Sequence, residues 1–326
     1  MQRFKNILCV VSTEQKDNPA LEHAVKLAEN NQASLSVVEV IDKIPANTRL
    51  LERTLSLGDI QATIVTEHQK ILSEMVSSLN SNIRITSKVL TGISFLEVIY
   101  EVLRNGHDLV FKVADNNGLL GRLFGSDDMH ILRKCPCPVW LVRPHASKPH
   151  QRILAAVDVD DNYPSGELNT RQQLNHQILE LATSLAISES AKLDVVHVWD
   201  AIGEGYMRYG LGKQPEHEVD AYVEDVKQLQ NLNMNRLMSQ ITNTLGQDAL
   251  EYIKPETHLV RGHALTNVPE FAAEINADLV VMGTVARTGL SGFFMGNTAE
   301  SILNQLDCSV LAVKPAGFVS PVTLNA

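Results

Sequence analysis

A chain of 326 residues has room for about two domains of ordinary size, and a hydrophobic content of 44% supplies a core for each. With 28 basic against 38 acidic residues and a net charge of −10, the chain is unsuited to non-specific binding of nucleic acid or an anionic membrane, and neither is an expected partner. No apolar run approaches the roughly 18 residues that cross a bilayer. The opening Met1-Gln-Arg-Phe-Lys5 leads into an apolar stretch too short for a signal sequence, so the expected location is the cytoplasm.

Taken in order, Lys5–Ser12 is a short apolar run of strand length, and Pro19–Asn31 carries Leu21, Ala24, Val25, Leu27 and Ala28 at helical spacing. Ala33–Val40 reads as a strand, Ile60–Leu79 as a helix, Ile83–Leu90 as a strand and Phe95–Leu103 as a helix. Asp108–Val113 is another apolar strand, followed by a loop with Gly118, Gly121 and Gly125, a helix over 128–134 and a last strand, Pro138–Arg143. Strands apolar on both faces and alternating with helices predict an α/β fold, a parallel sheet covered on each side. In such a sheet, ligands sit beyond the carboxyl ends of the strands.

Pro144–His150 has linker composition, and the residues after it repeat the first half. Gln151–Val157 echoes Lys5–Val11. Ala191–Val198 matches Ala33–Val40 at five of eight positions, Gly262 answers Gly92, and Asp278-Leu-Val answers Asp108-Leu-Val. Matches that keep order and offset indicate duplication, with tandem domains at 1–146 and 151–320.

The four cysteines lie in or at the entry to strand-like runs, and Cys135-Pro-Cys137 has one residue between its thiols, where redox and zinc pairs have two. Buried free thiols in a reducing compartment are expected. His258 and His263 flank a strand end and have metal-binding chemistry, but solvated or core histidines are the expectation and no metal site is assigned.

The chemistry concentrates between Asp278 and Glu300. The run Asp278-Leu-Val-Val-Met-Gly283 ends abruptly, a glycine-dotted loop comes next, and Gly296-Asn297-Thr298 opens an amphipathic helix. Strand, flexible loop and helix start together suit an anion, because first-turn N–H groups point at negative charge. The bland alternative is a long turn in which Asn297 or Thr298 merely caps the helix. The loop is neither a Walker loop nor the short dinucleotide fingerprint.

Strand 151–158 ending in Asp158, the His197-Val198 strand end, Gly283-Thr-Val-Ala-Arg-Thr-Gly289 and Gly296-Asn-Thr-Ala-Glu300 resemble the universal stress protein family in its tandem two-domain form. The resemblance covers nearly the whole chain. It implies a five-stranded parallel sheet flanked by helices in each domain (adenine nucleotide alpha hydrolase-like) and a cytoplasmic role in surviving stress, DNA damage included. It also implies ATP or a related adenine nucleotide as ligand, with Asp158 and Val198 at the adenosine part and Met282, Gly283, Ala286, Gly296, Asn297 and Thr298 at the phosphates; Arg287 would offset phosphate charge.

Ala286 stands where the family has a glycine, and Asn297 where it has serine or threonine. In the first domain, counting back from Gly125-Ser126 puts Lys112 and Asp115 at the loop-glycine positions and Ser12 at the aspartate position, which implies lost nucleotide binding there. By the same resemblance, strands 138–143 and 309–314 pair across an internal pseudo-dimer, making the chain a monomer or weak homo-oligomer. Pairing also covers two strand edges.

Two other functions compete. One is a binder of a non-nucleotide, apolar metabolite or a protein-interaction scaffold, for which Asn47–Leu79 and Asp200–Leu245 are longer than crossovers require. Tyr206, Met207, Tyr209, Tyr222, Met234 and Met238 in the second insert are expected to be core. The other is a slow ATPase, for which no general base or metal-ligand cluster is evident near the loop; the chain is read as a binding protein without a catalytic residue.

Overall fold

Asp108 and Asp278 perform one task in two places. Asp108 accepts hydrogen bonds from the Lys5 and Asn6 main-chain N–H groups (2.7 and 3.1 Å), and Asp278 does the same for Gln151 and Arg152 (2.6 and 3.2 Å). Each carboxylate satisfies donors at the start of the first strand of its repeat. The structure is a computed structural model that describes residues 4–15, 17–45, 56–115, 124–146, 149–287 and 294–324, with the backbone alone at 285–287 and 294.

The first repeat runs β1 (Asn6–Val10), α1 (Pro19–Asn31), β2 (Ser34–Ile41), α2 (Leu57–Ser77), β3 (Ile85–Thr91), α3 (Ser94–Asn105), β4 (Leu109–Val113), α4 (Ser126–Lys134) and β5 (Val139–Val142). The second runs β6 (Arg152–Ala156), α5 (Ser165–Glu189), β7 (Lys192–Trp199), α6 (Glu204–Tyr209), α7 (Glu216–Leu245), α8 (Gln247–Ile253), β8 (Glu256–Arg261), α9 (Ala264–Glu274) and β9 (Leu279–Gly283). It ends with β10 (Val285–Arg287), β11 (Phe294–Met295), α10 (Asn297–Leu303) and β12 (Ser309–Val313).

The first sheet has parallel order β3-β2-β1-β4-β5, and the second β9-β6-β7-β8. Two compact units result: residues 1–148 with 309–312 and 318–326, and residues 149–308 with 313–317. Within the first unit, β12 runs antiparallel to β5, with Val310 opposite Leu141 and Ala312 opposite Val139.

The central strands form because both faces are covered. Ile7, Leu8, Leu109, Val110, Phe111, Ile153, Leu154 and Leu279 are fully buried, and each large apolar side chain so removed from water contributes about 1.5–3 kcal/mol. Phe111 stacks on Trp140 at 4.8 Å between centroids, joining β4 to β5. All four cysteines are free thiols and buried. No helix among the described residues is long and apolar enough to cross a membrane.

The repeats also share their turn after the third strand. Gly92 (φ +153°) and Gly262 (φ +140°) both have a backbone that L side chains avoid, and a Cβ would strike Glu97 or Asn267. Their register corrects one expectation. Val10 pairs with Lys112, and Ala156 with Met282, so Val113, not Lys112, matches Gly283. Asp115 then falls opposite Val285 instead of Ala286, because the first loop is one residue shorter.

The inserts differ from expectation too. The second forms α6 and α7, in which Met234 is buried, but Tyr206 and Tyr209 are 65% and 85% exposed, on the surface instead of in the core. Part of the first insert, 47–55, lies outside the described residues, as do Gly118 and Gly121.

Candidate functional site

β9 delivers Met282, buried, and Gly283 to the carboxyl end of the sheet. A Cβ on Gly283 would sit 2.5 Å from Leu174 Cδ2 and 3.5 Å from Ile178 Cδ1, both on α5. Packing of α5 on this glycine is by itself a reason for its small size. Past it, the Gly296 N–H donates to the Thr284 carbonyl (3.1 Å), and β10 pairs antiparallel with β11, Val285 opposite Met295 and Arg287 opposite Phe294.

Ala286 thus lies in extended backbone, so an alanine there does not require the left-handed conformation that would favour glycine. Residues 288–293, with Gly289 and Gly292, lie outside the described residues.

Gly296 caps α10, and Asn297 and Thr298 form its exposed start, followed by Ala299 at the third helical position. The first N–H groups of a helix have no acceptor within it and carry its partial positive charge.

Asp158, two residues past β6, is committed elsewhere. Its Oδ2 accepts from Tyr163 Oη (2.8 Å) and Arg171 Nη1 (2.9 Å), and its Oδ1 from the Asp160 N–H (3.3 Å). Asn175 grips the main chain of the same residue, accepting from its N–H (3.0 Å) and donating to its carbonyl (2.6 Å). Burial first, and the Asp158 carboxylate second, push the Tyr163 hydroxyl well above its ordinary pKa. Asp158, expected at the adenosine part, therefore already has protein partners.

The adjacent cavity, between α5 and α7 and lined by Asp158, Asp160, Arg171, Asn175, Asn233 and Arg236 among others, measures about 50 Å³. A ligand site for a drug-sized molecule needs several hundred.

Val198 is half-buried in β7. Beside it the buried His197 lies within hydrogen-bond distance of Gln230 Oε1 (3.2 Å), and Asn233 donates to the Val159 carbonyl (3.1 Å), so α7 is anchored to the ends of β6 and β7. α5 is what brings the expected residues together: Leu174 meets Gly283, and its neighbour Asn175 holds Asp158.

The first repeat closes the corresponding place with its own carboxylate. Asp128, fully buried at the third position of α4, accepts from the N–H groups of Gly125 (3.1 Å) and Asp115 (2.7 Å) and from Lys112 Nζ (2.7 Å). Lys112 also pairs with Asp115. Burial alone would pull the Lys112 ammonium down, but the Asp128 and Asp115 carboxylates outweigh it and hold the group above its ordinary value. Outside this network lies a cleft of about 470 Å³ whose lining includes Asp17, Asp115 and Asp127, a poor setting for a phosphate.

Asp194, Glu256 and His258 bring three ligand atoms within 4.8 Å of one another. Arg152 holds Asp194 by two prongs, Nε at 2.7 Å and Nη2 at 3.0 Å, and His258 Nε2 lies 2.8 Å from it. Burial pushes the Asp194 carboxyl up, but the Arg152 and His258 hydrogen bonds outweigh it and leave it below its usual range. A two-pronged guanidinium on the central carboxylate makes this an ion-pair network.

Sequence reasoning missed Arg171, Tyr163, Asn175, Thr284 and Asp128. For Asp128 a signal existed, since an acidic residue three after Gly125 is the spacing of a reciprocal helix cap. For Arg171 and Tyr163 none did.

Comparison with known proteins agrees with this architecture. The sequence model of the universal stress protein family matches residues 3–143 and again 150–314. The chain is 30% identical over 329 residues to universal stress protein E of Escherichia coli, covering 100% of this chain and 98% of that protein. It is also 30% identical over 325 residues to the universal stress protein E homolog of Haemophilus influenzae, covering 96% and 98%. A solved structure from Pseudomonas aeruginosa superposes with a TM-score of 0.68 at 23% identity, over 96% of this chain and 94% of that one. A universal stress protein from Archaeoglobus fulgidus gives 0.54 at 15% identity, over 95% and 98%. At such identities the two structures speak to the fold alone.

Proposed function

The chain belongs to the universal stress protein family, and on that premise we propose that it is a cytoplasmic stress-response protein that binds an adenine nucleotide through its second repeat. The phosphates would lie where β9 meets α10, near Met282, Gly283, Ala286, Arg287, Gly296, Asn297 and Thr298, and the nucleoside toward Val198 and Asp158. The observation that carries this is the contrast between repeats. Asp128 fills the third position of α4, whereas the third position of α10 is Ala299 and its first-turn carboxylate, Glu300, comes one place later.

Domains at 1–146 and 151–320, and a monomer in which the repeats form an internal pseudo-dimer, belong to the same reading. The pairing of β12 with β5 inside one chain supports it. Binding, not hydrolysis, is proposed: Asp158 is tied to Arg171 and Tyr163 and is poorly placed as a base.

Thermal unfolding of the intact chain with ATP, ADP and AMP tests the reading, since a ligand of the folded state raises the transition temperature. Thr298→Asp supplies the control. A carboxylate at an exposed helix start favours the helix but repels a phosphate, so the variant should stay folded and lose the shift. An identical shift in the variant, or none in the parent chain, would defeat the proposal.

A second reading, a surface for a protein partner, is favoured by Ile202, Tyr206, Tyr209 and Leu211, each at least 65% exposed around α6. Retention of a partner by the parent chain, lost on Tyr209→Ser, would support it.

A further inference from the structure

We infer that the hydroxyl of Thr284 is a ligand-contacting group, a hydrogen-bond donor to a phosphoryl oxygen; the inference rests on the nucleotide reading above. Thr284 is fully buried, and its Oγ1 has no hydrogen-bond partner among the described residues. A hydroxyl taken out of water without a replacement partner destabilises the fold. Valine has the same shape, suits a strand equally and avoids that cost, so a buried, unpaired threonine needs a reason.

The residue's surroundings supply one. Its N–H donates to the Val313 carbonyl (3.3 Å), and its own carbonyl accepts from the Gly296 N–H (3.1 Å), so the main chain is held on both sides. The direction in which Gly283 would project a side chain meets α5. Thr284 directly follows β9, and its main chain keeps to the sheet through Val313. Successive residues along such a run face opposite sides, which assigns its side chain to the face away from α5, the residue's carbonyl being bonded to the cap of α10. An acceptor placed there would complete the one polar group that the fold leaves unsatisfied at this junction among the described residues.

The first repeat is an internal control. Ala114 occupies the matched position, its N–H donating to the Val142 carbonyl (2.8 Å) as that of Thr284 does to Val313. There the residue is a methyl group, and the acceptor role is filled by the Asp128 carboxylate, which takes the Gly125 and Asp115 N–H groups. Where Asp128 stands at the third position of the helix, the matched residue is an alanine; where Ala299 stands there, with Glu300 one place further on, the matched residue keeps a hydroxyl. The charged oxygens of a phosphoryl group match that donor better than the neutral nitrogens of a base, because a hydrogen bond to a charged oxygen is the stronger one.

The test compares Thr284→Val and Thr284→Ser with the parent chain by thermal unfolding without ligand and by calorimetric titration with ATP. The valine variant should unfold at the same temperature or higher and bind ATP about tenfold more weakly, the loss expected for one such hydrogen bond. The serine variant should bind within about threefold of the parent. Unchanged ATP affinity in Thr284→Val overturns the assignment while leaving nucleotide binding intact. So does a valine variant that fails to fold, which would show that the hydroxyl serves packing. A parent chain that binds no nucleotide overturns both readings together.

Discussion

The Arg171 guanidinium lies over the Tyr163 ring, 3.7 Å from its centroid, and both side chains converge on a single oxygen of Asp158. A ligand that uses this oxygen of Asp158 competes with Arg171 for it. With the Asp158 side chain 40% exposed, the pair contributes at most about 1 kcal/mol. Arg171→Met, which keeps the packing over the ring and removes the charge, should tighten nucleotide binding about two- to fivefold by calorimetric titration. Weaker binding would show that Arg171 itself holds the ligand.

Gly283 is predicted to serve packing. Gly283→Ala should destabilise by about 1–3 kcal/mol, because its methyl group runs into Leu174 and the core must shift. Trimming Leu174 to alanine in the same chain should recover part of that loss, giving a coupling of at least about 1 kcal/mol in urea unfolding. Strict additivity of the two changes would contradict the contact.

The buried ion pair of the first repeat should behave differently when halved and when removed. Asp128→Ala leaves the Gly125 and Asp115 N–H groups without their acceptor and Lys112 with only Asp115 and the Val113 carbonyl; a loss of about 3–5 kcal/mol is expected. Lys112→Met strands the carboxylate in turn. The double variant should lose less than the sum of the singles, because no buried charge is left alone at the centre.

His107 predicts a pH dependence. The residue is 5% exposed, and burial, ahead of the opposing pull of Glu101, holds its pKa below 6.5. Protonation is then easier in the unfolded chain, which binds more protons as pH falls, so stability should decline below about 6.5. The His107→Leu chain should show a shallower decline in urea midpoints between about pH 7 and 5. Parallel curves would remove His107 as the cause.

What could be read from the chain, and what could not, divides by the range of the interaction. Asp108 and Asp278, like Gly92 and Gly262, recur because each meets a need of the backbone a few positions away or on the adjacent strand. Such needs leave a spacing behind. The engagement of Asp158 depends on which way α5 turns Arg171, thirteen residues on, and the closeness of Leu174 to Gly283 spans more than a hundred positions. Nothing local records either. Tyr206 and Tyr209 have helical spacing whether they point inward or outward, and only the fold shows them outside.

β12 belongs to the first unit for four of its five residues although it follows the rest of the second repeat in sequence. Cutting the chain at the linker would therefore not release the first unit whole: a fragment ending at 148 would lack the antiparallel neighbour of Val139–Val142 and expose a row of unmet donors and acceptors. Such a fragment should self-associate, and a synthetic peptide of residues 306–318 should restore it to a single species. Nascent chains emerging from the ribosome face the same vacancy until Ser309–Ala312 arrive, so completion of the first half waits on synthesis of the second repeat.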